Sequence, residues 1–298
     1  HMVFEEFDPR VRVIFTADNF GRSLKANQAV IRAFREGVLT SASLPVRSAA
    51  LDDAVALAKE NSGLEVGLQL VLFGGKSVLK PSEIIGLVDE RFEFGDRYWS
   101  AVLRYWLNPQ LKGALQAEVD AQIRIFRRTG LTLGFLAGRG GLHLHPAIYT
   151  LIRRYHEAWK IRAVRATHDP ILTNLRLQFG RTWRRVPQGL LMRYFDRRAR
   201  LLLVRRGLGM TNSVLGQMAK GRVDLEYLLE MLVELPPGSY EVCLNPDEEN
   251  HADELAALVS SELKELIRQR GIEVIRHSDL ITEAKNRLKS GSQATQPA

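Results

Sequence analysis

The sequence predicts an α/β fold built on a parallel sheet. Three observations carry that expectation. Short runs rich in β-branched residues, such as Val11–Ala17, alternate along the chain with segments of helical apolar spacing. Glycine and proline punctuate the joins, at Gly37, Gly74-Gly75, Gly130, Pro236-Pro237-Gly238 and Gly271. The 298 residues, 45% hydrophobic and 26% charged, suffice for one large domain with a sizeable core.

The elements follow in order. Val11–Ala17 reads as a buried strand, broken by Asp18-Asn19-Phe20-Gly21. Leu24–Phe34 has helical spacing, Leu39–Leu44 is a strand, Ala49–Lys59 a helix and Val66–Leu72 a strand. Ala114–Arg128 is a long amphipathic helix and Leu131–Leu136 a strand leading into a glycine-rich loop. Pro146 opens a helix through Trp159, and Ile161–Ala166 is the next strand. The pattern loosens from Pro170 to Met210, then resumes with a helix at Leu225–Leu235, a strand at Tyr240–Leu244, a helix at Ala252–Arg270 and a strand at Ile272–Ile275. Alternation of this kind gives parallel strands with crossover helices, in an open sheet or a barrel. In both, functional groups gather at strand ends, here Asp18-Asn19, Gln69, Arg139, Arg165 and Asn245.

Composition narrows the function classes only partly. Cys243 is the single cysteine, so neither an intrachain disulfide nor a Cys-based metal cluster can form. That suits a cytoplasmic protein. No apolar run reaches the roughly 18–20 residues that cross a bilayer, and no secretory signal is visible. Net charge is +8, which favours acidic partners: nucleic acid, an anionic membrane surface or phosphorylated ligands. Within Arg181–Arg206, arginines interleave with Leu190, Leu191, Phe195, Leu201, Leu202 and Leu203, and Asp196 is the one acid. Such a segment suits an anionic membrane surface, placing the protein peripherally on the inner membrane; nucleic acid is disfavoured, and a solvated cover on the barrel is the plain alternative.

The strand-end motifs resemble the YdjC-type carbohydrate deacetylase family, most closely a branch associated with hopanoid biosynthesis. Thr16-Ala17-Asp18-Asn19-Phe20-Gly21 is similar to the family's Asn-Ala-Asp-Asp-Phe-Gly. Ser23, Asn27 and the segment Gly37–Leu44 also fit. Glu118, Ala121, Gln122, Phe126 and Gly130 match a family helix, Val164-Arg165 a strand end, and Leu235–Glu241 the hopanoid branch. The resemblance implies a distorted (β/α) barrel of about seven parallel strands, similar to polysaccharide deacetylases. The domain would span 11–288 with a basic insertion at 171–210. An extension at 1–10, beginning with the cloning remnant His1-Met2, would precede it, and a disordered tail at 289–298 would follow.

It also implies a chemistry: a divalent metal held by one Asp and two His, with an acid–base pair, removing acetyl groups from N-acetylated sugars. Asp18 survives, where an active relative would have its general base, but the other positions depart from the pattern. The metal Asp is Asn19, the Gly-x-His histidine is Gln69, and the histidine-rich run becomes Phe135, Ala137, Arg139 and Gly141, keeping only His143, His145 and Pro146. The later histidine is Asn245. Neutral amides are poor ligands for a dication and a guanidinium repels one. No metal and no other cofactor is therefore expected.

The expected ligand set is Asp18, Asn19, Gln69, Arg139, His143, His145, Arg165 and Asn245, contacting a sugar or a glycolipid, hopanoid-linked within that branch. Three alternatives stay open. Asp18, His143 or Glu241 could support metal-independent catalysis; the chain could be an active N-acetyl-sugar deacetylase; or these residues are structural, with Asp18 capping the helix near Ser23 or pairing with Arg139. Trp99, Tyr105, Trp106 and Trp183 are candidates for stacking on sugar rings.

Overall fold

A computed structural model describes residues 8–170, 185–217, 219 and 221–293. Among them seven strands form one curled sheet: β1 Val11–Ala17, β2 Ser41–Leu44, β3 Glu65–Leu70, β4 Leu136–Gly138, β5 Ser213–Leu215, β6 Gly238–Leu244 and β7 Glu273–Val274. The order is β4-β3-β2-β1-β6-β5, and every pairing is parallel. β6 pairs with β1 along its whole length, while β7 pairs with the start of β1 and β2 with its end. Residues 162–168 bridge the two outer strands. Leu136 N–H donates to Ala163 O (2.9 Å), Val164 N–H to Gly209 O (2.9 Å) and Val214 N–H to His168 O (2.9 Å). The expected α/β barrel is thus present, distorted where that segment replaces a regular strand.

Ten helices cover the sheet among the described residues: α1 Leu24–Glu36, α2 Leu51–Glu60, α3 Tyr98–Leu107, α4 Lys112–Arg128, α5 Pro146–Tyr155, α6 Val186–Leu203, α7 Leu225–Val233, α8 Ala252–Val259, α9 Ser261–Arg270 and α10 His277–Gln293. Phe15, Phe20, Phe126 and Phe135 are fully buried within the barrel and its helical cover. Gly37 lets α1 meet α8: a Cβ there would come within 2.3 Å of Leu258 O.

Several elements differ from the sequence expectation. The strand expected at Leu131–Leu136 is regular only from Leu136, because Gly134 lies against the Glu65 side chain and bonds Val66 O outside the ladder. The helix expected over Ala252–Arg270 breaks at Ser260, whose backbone is extended (ψ 142°) and whose hydroxyl caps α9 at Leu263 N. α3 carries no strong boundary signal, since Arg97 offers no side-chain cap. α10 runs to Gln293, into the segment expected as a tail; 294–298 lie outside the described residues, as do 171–184 of the insertion.

Candidate functional site

The strand ends deliver Asp18, Asn19, Gln69, Arg139, Arg165 and Asn245 to the wall of one cavity of about 580 Å³. A second cavity of about 450 Å³ shares Gly138, Arg139, Gly140, Arg165 and Gln217 with it, and is further lined by Phe73, Tyr98, His143, Gln188 and Met192. Both volumes suit a sugar-sized ligand. The first is mostly polar and the second largely apolar and aromatic.

Arg165 is the hub beneath the first cavity. Its guanidinium donates to both Asp18 oxygens (Nη1 to Oδ2 3.0 Å, Nη2 to Oδ1 2.8 Å). It also donates to Glu241, from Nε at 3.2 Å and from Nη2 at 3.0 Å. Burial opposes its charge, but Asp18 foremost, with Glu241, holds it protonated well above the usual range. Glu241 is fully buried, accepts a hydrogen bond from Thr16 Oγ1 (2.8 Å) and lies 3.3 Å from His277 Nε2 as a charge contact. Burial alone would raise its carboxyl; Arg165 and His277 hold it well below the usual range instead. Burial would lower His277, yet Glu241 and Glu65 (3.0 Å from Nδ1) raise it to about 9. The result is an alternating buried chain: Asp18, Arg165, Glu241, His277, Glu65.

This chain corrects three expectations. Asp18 pairs with Arg165, not Arg139, and also accepts from Ser43 Oγ (2.8 Å). It caps no helix, because Ser23 caps α1. Glu241 faces neither cavity, since all its acceptor capacity turns inward to Arg165, Thr16 and His277. It is therefore ruled out as a group touching ligand there.

The two surviving histidines diverge. His145 lines neither cavity: Nδ1 accepts from Ala147 N (3.0 Å) at the start of α5, Nε2 donates to Val102 O (3.0 Å), and Tyr105, Trp106 and Phe195 surround its ring. The expectation of a ligand contact is corrected; it is a core histidine. His143 lines the second cavity, and Nε2 donates to Arg165 O (2.7 Å). That fixes the tautomer and leaves Nδ1 as a buried, unpartnered lone pair. Burial pushes both rings down to about 4.

Arg139, which the sequence resemblance sets against a histidine of the family motif, directly follows β4. Its loop needs glycine, since Gly140 (φ 62°) and Gly141 (φ 72°) occupy left-handed backbone. Arg139 Nη1 donates to Gly74 O, and no carboxylate lies within ion-pair distance among the described residues. Burial lowers its pKa. Asn19 donates through Nδ2 to Pro246 O (2.7 Å), which fixes the amide orientation and leaves Oδ1 buried without a partner. Two amide side chains and a guanidinium do not fit a divalent cation. Among the described residues, no group of three His, Cys, Asp or Glu side chains is placed to hold one.

Sequence reasoning missed Arg22, Arg47, Lys76, Gln217 and His251 in the first cavity, and Phe73, Tyr98, Gln188 and Met192 in the second. Arg22 and Arg47 each lie a few residues past a strand end, so extending those strand ends would have found them. Of the proposed stacking aromatics, Tyr105 is buried and bonds Leu72 O (2.5 Å), Trp99 and Trp106 line neither cavity, and Trp183 lies outside the described residues.

α6 is pinned over the second cavity by its one acid. Asp196 is buried and accepts from Thr167 N (2.8 Å) and Arg200 Nε (3.0 Å), while Thr167 Oγ1 donates to Met192 O (2.9 Å). Phe195 and Leu203 face inward, whereas Leu190, Leu201, Arg193, Arg197 and Arg198 face solvent. No helix among the described residues is long and apolar enough to cross a membrane.

Comparison with known proteins agrees with this architecture. A carbohydrate deacetylase of Brevibacillus brevis is 34% identical over 152 residues, covering 51% of this chain and 58% of that protein. One from Vibrio cholerae is 32% identical over 151 residues, covering 49% and 57%. The matched stretch thus spans a little over half the length of these curated relatives. A solved structure of a proposed cellobiose-phosphate cleavage protein from Enterococcus faecalis superposes with TM-score 0.67 at 18% identity, covering 91% of this chain and 99% of that one. The profile of the YdjC-like protein family matches residues 12–269, and the chain belongs to that family.

Proposed function

We propose that this chain binds a sugar or glycolipid at its barrel mouth without a divalent metal, as a catalytically degenerate member of its family. The observation that carries the proposal is the Arg139 guanidinium in the cavity beside Asn19, Gln69 and Asn245. An amide both donates and accepts, which suits hydroxyl groups, and the orphaned Asn19 Oδ1 is an acceptor awaiting a donor. The polar cavity meets an apolar one at Arg139, an arrangement that suits a ligand with a sugar and an apolar part. The resemblance at Leu235–Glu241 favours a hopanoid-linked sugar within that class.

The same proposal extends to an anionic membrane surface. Leu190, Tyr194 and Leu201 lie exposed among Arg193, Arg197 and Arg198 on α6, and Trp99, Leu103, Trp106 and Leu107 lie exposed on α3. The Trp106 ring is 5.7 Å from Phe195, so the two helices adjoin. Basic residues interleaved with aromatic and aliphatic ones suit a lipid headgroup region.

A second possibility is metal-independent catalysis, favoured by the free Nδ1 lone pair of His143. Titration with N-acetylglucosamine oligomers in excess chelator, with acetate release followed in the same samples, separates the two. The proposal expects saturable binding and no acetate. Acetate release with chelator present, abolished by His143→Gln, supports the alternative; release only on adding metal would make the chain an active family enzyme.

A further inference from the structure

We infer that the groove between α4 and the end of α5 docks an acidic segment of a partner protein. The groove, of about 530 Å³, is walled by Arg124, Arg127 and Arg128 of α4 and by Tyr155 and Trp159 where α5 ends. It shares no residue with either cavity of the barrel mouth, so its occupancy is independent of the sugar-binding proposal. Trp159 and Ile123 are buried and give it an apolar floor. Its one acid, Asp120, is already committed: Oδ1 accepts from Trp159 Nε1 (3.0 Å) and Oδ2 from Arg124 Nη2 (2.7 Å). Arg127 and Arg128 are exposed, with no carboxylate within ion-pair distance among the described residues. Arg154, also exposed and without an ion pair there, lies over the Tyr155 ring at 5.3 Å.

Arg127, Arg128 and Arg154 lie in the last turns of α4 and α5, where cations complement the helix dipole. That accounts for their charge, but not for a concave wall whose only acid is spent and whose floor is aromatic. Arginine, tyrosine and tryptophan are the residue types that dominate protein contacts, and guanidinium forks match carboxylates bidentately. Two other anionic partners fit less well. A membrane needs apolar side chains pointing outward, and none of the exposed large hydrophobic residues belongs to α4 or to residues 153–162. A single-stranded nucleic acid needs open aromatic faces for its bases. Here Trp159 is buried, and Tyr155 lies between it (ring centroids 5.2 Å apart) and the Arg154 guanidinium. A segment bearing carboxylates and one apolar side chain needs only the arginines of the wall and the floor beneath them.

The test uses a fluorescent peptide of glutamates around one phenylalanine, its glutamine counterpart, and an oligothymidylate. Anisotropy is followed with the full chain at low and high salt. The glutamate peptide should bind saturably, at least about tenfold more tightly than the glutamine peptide, and lose that margin at high salt. Arg127→Glu with Arg128→Glu should weaken it at least about tenfold. Arg205→Glu with Arg206→Glu makes the same change of charge at another exposed stretch and should leave the affinity unchanged. If reversal unsettles α4, seen as a lower melting temperature, the neutral pair Arg127→Gln with Arg128→Gln carries the test and should weaken binding at least about threefold. Equal losses in the two Glu pairs would reduce the effect to net charge and overturn the groove. Tighter binding of the oligothymidylate, lost on changing Arg127 and Arg128, would overturn the protein partner in favour of nucleic acid. Equal affinity for the glutamate and glutamine peptides would overturn the inference outright.

Discussion

Arg165 holds together two carboxylates that would otherwise repel each other beneath the cavity floor. Removing it leaves Asp18 with only the Ser43 hydroxyl and Glu241 with only Thr16 and His277, two carboxylates deprived of the charge they share. Arg165→Met should therefore cost about 3–5 kcal/mol of folding stability in denaturant titrations; a loss below about 1 kcal/mol would show that the network is dispensable. His277 and His143 give opposite pH dependences. His277, raised to about 9, contributes stability that is complete below the ordinary histidine value near 6.5 and is lost as pH rises to about 9. His143 and His145, lowered to about 4, bind protons more readily unfolded, so stability falls as pH drops from about 6.5 to 4. Thermal melting across pH 4–9 should peak near 6.5, and His277→Gln should flatten the alkaline limb alone. The individual site positions were legible because each sits at a strand end, where the break in apolar pattern marks it. The partner choice was not: the sequence offered Arg139 as the ion partner of Asp18, and only the three-dimensional path of residues 162–168 brings Arg165 under it.

At the scale of elements, α6 divides the basic segment into two roles that sequence could not separate. Its apolar residues read as one stripe, but Phe195 and Leu203 pack inward while Leu190 and Leu201 remain more than half exposed. Arg200 is likewise committed, to Asp196 and to Thr211 O (2.8 Å). The arginines free to meet a membrane are Arg193, Arg197 and Arg198. The chain should co-sediment with anionic vesicles and much less with neutral ones. Converting those three to Glu should remove the binding, since each arginine near the surface contributes about 1 kcal/mol, screened by salt. Equal and negligible sedimentation with both vesicle types would leave α6 as a cover on the barrel. Arg200→Glu belongs to a different experiment, because it would lower stability by placing a second acid beside Asp196.

At the scale of the molecule, periodicity was enough to read the alternating elements and hence the parallel sheet. It was not enough where two of them are irregular. The segment 161–166 looks like a strand but makes only isolated bridges, and that irregularity is what closes the curled sheet between β4 and β5. Closure in turn sets Arg139 between two cavities of different character, a juxtaposition that no local pattern encodes. The sequence pattern could mark Asn19, Gln69 and Arg139 as replacements; only the fold puts all three on one cavity wall. The central proposal is that this wall does not hold a divalent metal. Equilibrium dialysis of the purified chain against zinc, followed by elemental analysis, tests it most directly. The account predicts well under one ion per chain, unchanged by Arg139→His; one zinc per chain, lost on Asn19→Ala or Gln69→Ala, would contradict it.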